Sequence, residues 1–263
     1  MLIDSHCHLD HWREEEIAGV VGRAAEAGVR TLITIGTRMA QAATVKQIAE
    51  TFPHVWCTVG IHPHQAADAP VPSVEEFVAL ADHPKVVGIG EAGLDYHYDR
   101  APRDIAAEVF RRQIRAARIT GLPLVIHARD ADADIAAILT DEHAQGGAFP
   151  FVLHCFSSGR ALAETGVALG GSVSFSGILT FRRSDDLRAL ARDLPADRLL
   201  VETDAPFLAP EPFRGKRCEP AMVAHTAAAL AAVRGVSVAE IAALTTANAA
   251  RLFARLRLPE AVA

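Results

Sequence analysis

Histidines and carboxylates follow short apolar segments at six places along the chain, and such side chains bind metal ions or transfer protons. They occur as two pairs and four single residues: His6 and His8, His62, Glu91, His127, His154, and Glu202 and Asp204. Any one of them could be a satisfied core residue. Burying so many without partners is costly, however, so the recurrence predicts one shared site built from several segments.

The first pair has the spacing H-x-H. On a strand His6 and His8 share one face while Cys7 points to the other. This spacing places two imidazoles on one ion, although an isolated H-x-H is equally consistent with a structural role. For Asp4 we expect a buried hydrogen-bonding role, with support of a ligating imidazole as the alternative.

A single carboxylate lies in the segment VVGIGEAGLD. Glu91 is flanked there by glycines, which let backbone and ligands approach closely. A buried carboxylate facing several imidazoles can bridge two ions. The alternative is an ion pair with an arginine such as Arg129. Asp95, in the next loop, is predicted to be a turn or capping residue.

Two further histidines end apolar runs in the second half of the chain. His127 and His154 suit single-nitrogen ligation of a second ion. Arg129, two residues beyond His127, shares its face and could bind a phosphate oxygen or a nearby carboxylate.

The remaining candidates would contact the substrate or orient the attacking water. His62, in GIHP, is predicted to contact phosphate or transfer a proton, with metal ligation or a structural role as alternatives. Glu202 and Asp204 are two apart, so both carboxylates face the site. One of them would ligate a metal and orient the attacking water, and the other would lie behind it.

Apolar runs alternate with amphipathic stretches from end to end. The predicted strands are Leu2–His8, Val29–Gly36, Val55–His62, Val86–Leu94, Leu124–Ala128, Phe151–Phe156, Ser172–Ser176 and Leu199–Asp204. The predicted helices are Glu14–Ala27, Met39–Thr51, Val74–Ala81, Arg103–Thr120, Ala131–Ala144, Ala161–Leu169, Asp185–Asp193, Pro220–Val233 and Val238–Arg255. The other histidines fall on helices or loops, where we expect exposure: His11, His54, His64, His83, His97, His143 and His225. Of these, His64 and His97 lie near the proposed site.

Eight β/α alternations predict an α/β fold, a (β/α)8 TIM barrel of the metal-dependent hydrolase type. Several strands are continuously apolar, as in a parallel sheet buried on both faces. A doubly wound open sheet is the alternative. No linker divides the chain, which predicts a single domain over residues 1–263. In a barrel the carboxyl ends of all strands meet at one rim, so the candidate residues would converge there.

The bulk composition limits the classes of function. The net charge is −6 with a pI of about 6.0, which argues against a protein that coats duplex nucleic acid. The four cysteines are widely spaced, as in a chain with reduced thiols. The N-terminus lacks a signal-peptide pattern and no stretch is long and apolar enough to span a membrane, so we expect a cytoplasmic protein without a membrane partner.

With these residues placed, the sequence resembles the TatD family of metal-dependent deoxyribonucleases, within the amidohydrolase-like superfamily. The resemblance runs nearly end to end. It rests on the motifs IDSHCHLD, VGIHPH, GIGEAGLDYH, PLVIHARDA, LHCFSSG, SFSGILTF, LLVETDAPFLAP and TTANAARLF.

The resemblance implies two divalent ions with Glu91 between them. One ion would be held by His6, His8, Glu91 and Asp204, and the other by Glu91, His127 and His154. It also implies that Asp204 accepts the proton of the attacking water, and that His62 and Glu202 assist phosphate or proton movement.

Two positions depart from the family's motifs. The usual R-N-E-P reads Arg217-Cys218-Glu219-Pro220, and the usual C-F-S-G has Ser158 inserted before its glycine. Both departures are expected in loops that touch substrate, so they bear on substrate preference more than on the chemistry.

Cations cluster in the loops after the sixth, seventh and eighth predicted strands: Arg160, Arg182, Arg183, Arg214, Lys216 and Arg217. They could form a basic rim for the phosphates of a nucleic-acid strand, or be ordinary solvated side chains. Together with His62 and Arg129, Arg182 and Lys216 are the predicted substrate-binding residues. Phe181 and Phe213 could stack on bases, although packing is the commoner role of such residues.

Three functions compete. The leading hypothesis is a 3′-to-5′ deoxyribonuclease acting on single-stranded DNA ends, with the direction implied by the resemblance. The second is an esterase or amidase using the same site, such as a D-aminoacyl-tRNA deacylase. The third is a metal-dependent scaffold protein, which nothing in the sequence favours. Imidazole suits Zn²⁺, whereas carboxylates suit Mg²⁺ and Mn²⁺, so all three ions are candidates. No pattern selects an oligomeric state, which stays unknown, and a monomer is one of the states compatible with the sequence.

Overall fold

The computed structural model describes residues 1–68 and 70–259. Eight parallel strands form one sheet in the order of the chain, β1 to β8, which confirms the predicted barrel and excludes the doubly wound alternative. The strands are β1 (Leu2–Cys7), β2 (Val29–Thr34), β3 (Val55–Val59), β4 (Val86–Asp95), β5 (Leu124–Arg129), β6 (Phe151–Leu153), β7 (Ser172–Phe175) and β8 (Leu199–Val201).

Helices follow the strands and surround the barrel. They are α1 (Glu14–Glu26), α2 (Ala42–Thr51), α3 (Val74–Leu80), α4 (Arg103–Thr120), α5 (Asp132–Gly146), α6 (Arg160–Ala168), α7 (Asp185–Asp193), α8 (Val223–Arg234) and α9 (Val238–Leu252). Local sequence sets several of their ends. Ser73 and Ser237 form reciprocal capping boxes at the starts of α3 and α9. Gly121 ends α4 in the left-handed conformation, with φ 68°.

Several strands at the site end earlier than predicted. β6 and β8 end at Leu153 and Val201, three residues before the predicted ends, and β3 ends at Val59. By contrast, β4 and β5 each run one residue past their predicted ends, to Asp95 and Arg129. Apolar patterning marks the buried part of a strand, but it does not show where the chain stops pairing with its neighbours.

Backbone hydrogen bonds beyond β8 close the barrel. The amide of Asp204 donates to the carbonyl of His6 (2.9 Å), and the amide of His8 donates to the carbonyl of Ala205 (2.8 Å). Cys7 and Ala205 form an isolated parallel bridge. The seam between the first and last strands is therefore built by residues of the predicted site.

The core has an inner and an outer part. The outer part lies between the strands and helices and includes Cys7, which confirms that it points away from His6 and His8. The inner part contains residues from seven strands together with a residue just beyond α9: Ile3, Ile33, Trp56, Val87, Val125, Val152, Leu200 and Phe253. The amino-terminal half of the barrel interior is thus apolar, and the polar cluster lies at the other end.

Over the part of the chain that the structure describes, no single helix is long and apolar enough to cross a membrane. A helix pair, Pro220–Arg234 with Val238–Leu252, reaches that length and composition only jointly, and it is bent by 108°.

Candidate metal centre

The histidines and carboxylates predicted from strand ends meet in one buried cluster, the metal centre. His6 lies in β1, Glu91 in β4 and His127 in β5. The other members follow strands by one to three residues: His8, His62, His154, Glu202 and Asp204. Left-handed backbone at Cys155 (φ 43°) and Asp204 (φ 58°) turns the chain out of the sheet there.

Glu91, 3% exposed, is at the middle of the cluster. Its Oε1 lies 2.9 Å from His154 Nε2, 3.2 Å from His127 Nδ1 and 3.3 Å from His62 Nε2. Within residues 1–68 and 70–259 no arginine pairs with this carboxylate, so the alternative of an ion pair with Arg129 is excluded. One oxygen of Glu91 therefore faces three imidazoles.

The other oxygen of Glu91 belongs to a separate set of four atoms. His6 Nε2 and His8 Nε2 are 3.2 Å apart, and they lie 3.5 and 3.7 Å from Glu91 Oε2. Asp204 Oδ1 lies 3.5 Å from His6 Nε2 and 3.3 Å from His8 Nε2. Ligands about 2.0–2.1 Å from a tetrahedral ion are roughly 3.3 Å from one another. The set therefore has the spacing of a cation site.

Two imidazoles facing Glu91 Oε1 are oriented by carboxylates behind them. His154 Nδ1 donates to Glu202 Oε1 at 3.1 Å, and His127 Nε2 donates to Asp95 Oδ2 at 3.0 Å. In each ring the outer nitrogen carries the hydrogen bond to a carboxylate, so the inner nitrogen is the one available to a cation. Metal-binding histidines are typically held in this way.

His62 differs from His127 and His154 in which of its ring nitrogens accepts a hydrogen bond. The backbone amide of His64 donates to His62 Nδ1 at 3.1 Å. Burial lowers the pKa of His62 to about 4, so the ring is neutral near pH 7. A neutral imidazole that accepts at Nδ1 carries its proton at Nε2. His62 therefore presents an N–H donor to Glu91 Oε1 while its Nδ1 accepts from backbone, whereas the outer nitrogens of His127 and His154 donate to carboxylates.

The charges of the cluster favour a bound cation. Burial opposes ionisation of Glu91, but His154 and His62 hold the pKa of its carboxyl well below the ordinary value. Burial likewise opposes protonation of His8, but Asp204 and Glu91 raise its pKa to about 9. Positive charge is therefore stabilised between the carboxylates. Buried oxygen and nitrogen donors at these separations fit divalent metal ions.

Asp95 has a larger role than the predicted turn. Its Oδ1 accepts from the amide of Tyr98 (2.9 Å), in line with the prediction, but its Oδ2 binds both His127 and His64 (3.0 and 2.9 Å). His64 is therefore part of the site rather than an exposed loop histidine. The four-residue interval from Glu91 to Asp95 on β4 is a signal that could have placed both carboxylates on one face.

Asp4 has the buried hydrogen-bonding role that was predicted. Its two carboxylate oxygens accept from the amide and hydroxyl of Thr203, at 2.8 and 2.6 Å. Its Oδ1 also accepts from the amide of His6 at 3.3 Å. This carboxyl thus ties β1 to the segment that carries Glu202 and Asp204.

Gln113 of α4 was not predicted to serve the site. Its amide nitrogen donates to the carbonyl of Ile61, its amide oxygen accepts from the Ile61 amide, and both distances are 2.9 Å. Gln113 is fully buried, so this pair fixes the residue before His62. A glutamine on the apolar stripe of α4, between Phe110 and Ala117, is the signal that could have found it.

A glycine near Glu91 permits the close approach that the sequence predicted. Gly93 has φ 124°, and a side chain there would overlap the carbonyl oxygen of His127. No other residue fits, because β4 and β5 approach each other at this point.

Two cavities open above the metal centre. The aromatic cavity, about 610 Å³, is bounded by residues that follow β1 to β4 and β8, with Tyr98 and Phe207 in its walls. The serine cavity, about 570 Å³, is bounded by residues that follow β5 to β8, with Ser157 and Ser158 in its walls. Both share His127, Arg129, Asp204 and Leu208. The metal centre thus lies where the two cavities meet.

The predicted substrate-binding residues divide into two groups. His62 lines the aromatic cavity, and Arg129 lines both cavities. Arg182 and Lys216 are exposed and lie outside the walls of these cavities, as far as the structure describes them. Glu202 is 1% exposed and lies behind His154, so it contacts the histidine rather than the cavity.

The loop residues that depart from the family's motifs also differ in position. Ser158 lines the serine cavity, and its hydroxyl donates to the carbonyl of Ala128. Cys218 lies in a loop that was expected to touch substrate, but its own side chain is fully buried and packs in the outer core. The loop folds back at this residue, where the Cys218 amide donates to the carbonyl of Pro206. Phe213 packs against His225, the commoner role foreseen for it.

Comparisons with known proteins agree with this geometry. The family model described as TatD related DNase matches residues 3–254. The chain is 41% identical over 258 residues to the metal-dependent hydrolase YcfH of Escherichia coli, covering 96% of this chain and 95% of YcfH. It is 35% identical over 241 residues to the 3′-5′ ssDNA/RNA exonuclease TatD of Citrobacter rodentium, covering 89% and 90% of the two chains.

A solved structure shows the same architecture. The crystal structure of YjjV, a TatD homologue from Escherichia coli, superposes with a TM-score of 0.89 at 29% identity, covering 96% of this chain and 98% of that one. Since the family model and these relatives span nearly the whole chain, this protein belongs to the TatD-related DNase family of metal-dependent hydrolases.

Proposed function

We propose that this chain is a metal-dependent phosphodiesterase that shortens single-stranded DNA from its 3′ end. We also propose that residues 1–263 belong to one domain. The observation that carries the proposal is the division of Glu91 between two sets of donors, one on each carboxylate oxygen. The exonuclease named among the relatives supports the substrate class.

The two sets would hold one divalent ion each. His6, His8, Glu91 and Asp204 would hold the first, and Glu91, His127 and His154 the second. Such ions, when bound, lower the pKa of water and neutralise charge on a phosphate. Zn²⁺, Mg²⁺ and Mn²⁺ all suit this mixture of nitrogen and oxygen donors.

The protein's own groups would divide the remaining work. Asp204, whose carboxylate borders both cavities, would accept the proton of the attacking water. His62 would donate from Nε2 to a phosphate oxygen, which agrees with its neutral state and with the bond at its Nδ1. Glu202 and Asp95 would act as positioning residues, through His154 and His127.

The test is an activity panel on protein that has been stripped of metal and then given Mg²⁺, Mn²⁺ or Zn²⁺ separately. We expect stepwise shortening of 5′-labelled single-stranded DNA with at least one ion, and no activity in chelator. Turnover of an aminoacyl ester, without cleavage of DNA by any of the three ions, would contradict the proposal.

A further inference from the structure

The two cavities above the metal centre differ in chemistry. The serine cavity has hydroxyls, the carboxylates of Asp130 and Asp132, and the apolar side chain of Ile178 in its walls. Its aromatic rings are those of His127 and His154, both in the metal centre. The aromatic cavity instead contains a phenylalanine and a tyrosine.

Tyr98 and Phe207 are large apolar residues exposed to 51% and 49%. Each is held by histidines of the site. The Phe207 ring centroid lies 5.6 Å from that of His11 and 6.2 Å from that of His8, and the Tyr98 centroid lies 5.2 Å from that of His64. Two half-exposed rings in the walls of one cavity offer contact surface to a planar ligand.

Two guanidinium groups accompany Tyr98. Arg129 and Arg100 lie 5.1 and 5.4 Å from the centre of its ring, and both line the aromatic cavity. Neither forms an ion pair with a carboxylate of the described residues, 1–68 and 70–259. Their charge is therefore available to an anion at the mouth of the cavity.

From this arrangement we infer that the aromatic cavity is a nucleobase subsite. The base next to the scissile phosphate stacks on Phe207 and Tyr98, while Arg129 and Arg100 contact the neighbouring phosphate. The volume of about 610 Å³ suits one nucleotide. Stacking is tolerant of base identity, because every base has a π face. The inference rests on the proposed function, whose substrate it makes specific.

The experiment measures binding rather than turnover. The metal-loaded protein is titrated calorimetrically with deoxyadenosine 5′-monophosphate and with 2-deoxyribose 5-phosphate, which lacks the base. We expect the nucleotide to bind about 5-fold to about 150-fold more tightly, the range that stacking of one base supplies. Phe207→Leu and Tyr98→Leu should each reduce that preference and leave binding of the sugar phosphate unchanged.

Ile119→Ala is the matched control, since Ile119 is also exposed but lies at the end of α4 that precedes β5, at the opposite end of the barrel. Metal content is measured for every variant because Phe207 contacts His8. Equal affinity for the two ligands in the unaltered protein, no binding of either at millimolar concentration, or equal weakening of both in the variants would overturn the subsite.

The two proposals fail separately. Base-selective binding without DNA cleavage would retain the subsite and overturn the exonuclease. Cleavage of DNA by a protein that binds the two ligands equally would retain the exonuclease and overturn the subsite.

Discussion

The amide of Asp204 donates a hydrogen bond to the carbonyl of His6, 2.9 Å away, where the last strand segment meets the first. The side chains of the same two residues belong to one donor set, with His6 Nε2 3.5 Å from Asp204 Oδ1. The same two residues therefore close the barrel and belong to the donor set, so a change that loosens the seam should also weaken metal binding.

Thr203→Val tests this connection. Valine keeps the volume of threonine but leaves Asp4 Oδ2 without its 2.6 Å hydrogen bond. A buried acceptor that loses its partner costs about 1–3 kcal/mol, so we expect a lower free energy of unfolding by urea and a weaker affinity for Mn²⁺. Thr245→Val, which removes a buried hydroxyl bond within α9, should lower stability without changing metal affinity. If the two variants bound Mn²⁺ with equal affinity, the seam would have no effect on metal binding.

Gln113→Leu removes both hydrogen bonds to Ile61 while keeping an apolar side chain of similar size. The two buried backbone groups of Ile61 then lack partners, at about 1–3 kcal/mol each, and the adjacent His62 loses its fixed position. We expect a lower melting temperature and a lower kcat with unchanged metal content. Gln113→Glu in acidic buffer, where the carboxylic acid retains a donor and an acceptor, should restore part of the kcat. A kcat equal to that of the unaltered protein would show that Gln113 serves stability alone.

Asp95→Asn weakens the group that orients His127. An amide accepts from the imidazole less strongly than a carboxylate does, so His127 Nδ1 is less well fixed toward Glu91. We expect metal affinity, measured by competition with a chelator, to fall about 10- to 100-fold. Glu50→Gln is the control, because Glu50 forms a carboxylate–histidine pair with His83 away from the site. If Asp95→Asn bound metal as tightly as the unaltered protein, Asp95 would have no role in positioning His127 for the metal.

Glu91→Gln removes the charge shared by the two donor sets. Each set would lose one anionic oxygen, so the metal content should fall below two ions per chain and kcat/KM should fall by about a hundredfold. Atomic spectroscopy and DNA cleavage measure the two effects. Glu142→Gln removes a buried carboxylate that pairs with arginines of α4, and it should keep both ions. Two ions and full activity in Glu91→Gln would refute the bridging assignment.

The basic rim is tested by its salt dependence. The double change Arg182→Gln with Lys216→Gln should raise KM for single-stranded DNA and lower the slope of log KM against log salt by about 0.7 for each phosphate that the variant no longer neutralises. The control is Arg30→Gln with Arg257→Gln, which removes two exposed charges near the amino end of the barrel and beyond α9. If the two double variants give the same slope, Arg182 and Lys216 are solvated side chains without a role in binding.

Periodicity and the positions of polar residues predicted the fold class and the strand-end residues that meet in the cluster, although they missed His64 and the contacts of Asp95 with two histidines. Continuous apolar runs separated by amphipathic helices require a parallel sheet covered by helices, and eight of them suffice to close a barrel. Since parallel strands end at one rim, residues as distant as His6 and Asp204 could be assigned to one site without coordinates.

Only the tertiary structure decided how these residues face one another. The resemblance implied that Glu91 joins two sets of ligands. Which of its oxygens faces each set, the opposite orientations of His62 and His154, and the burial of Cys218 depend on distances across the barrel. A linear pattern reports which face of a strand a side chain occupies. It carries no information on ring orientation, or on which loop folds inward, because partners from other strands set both.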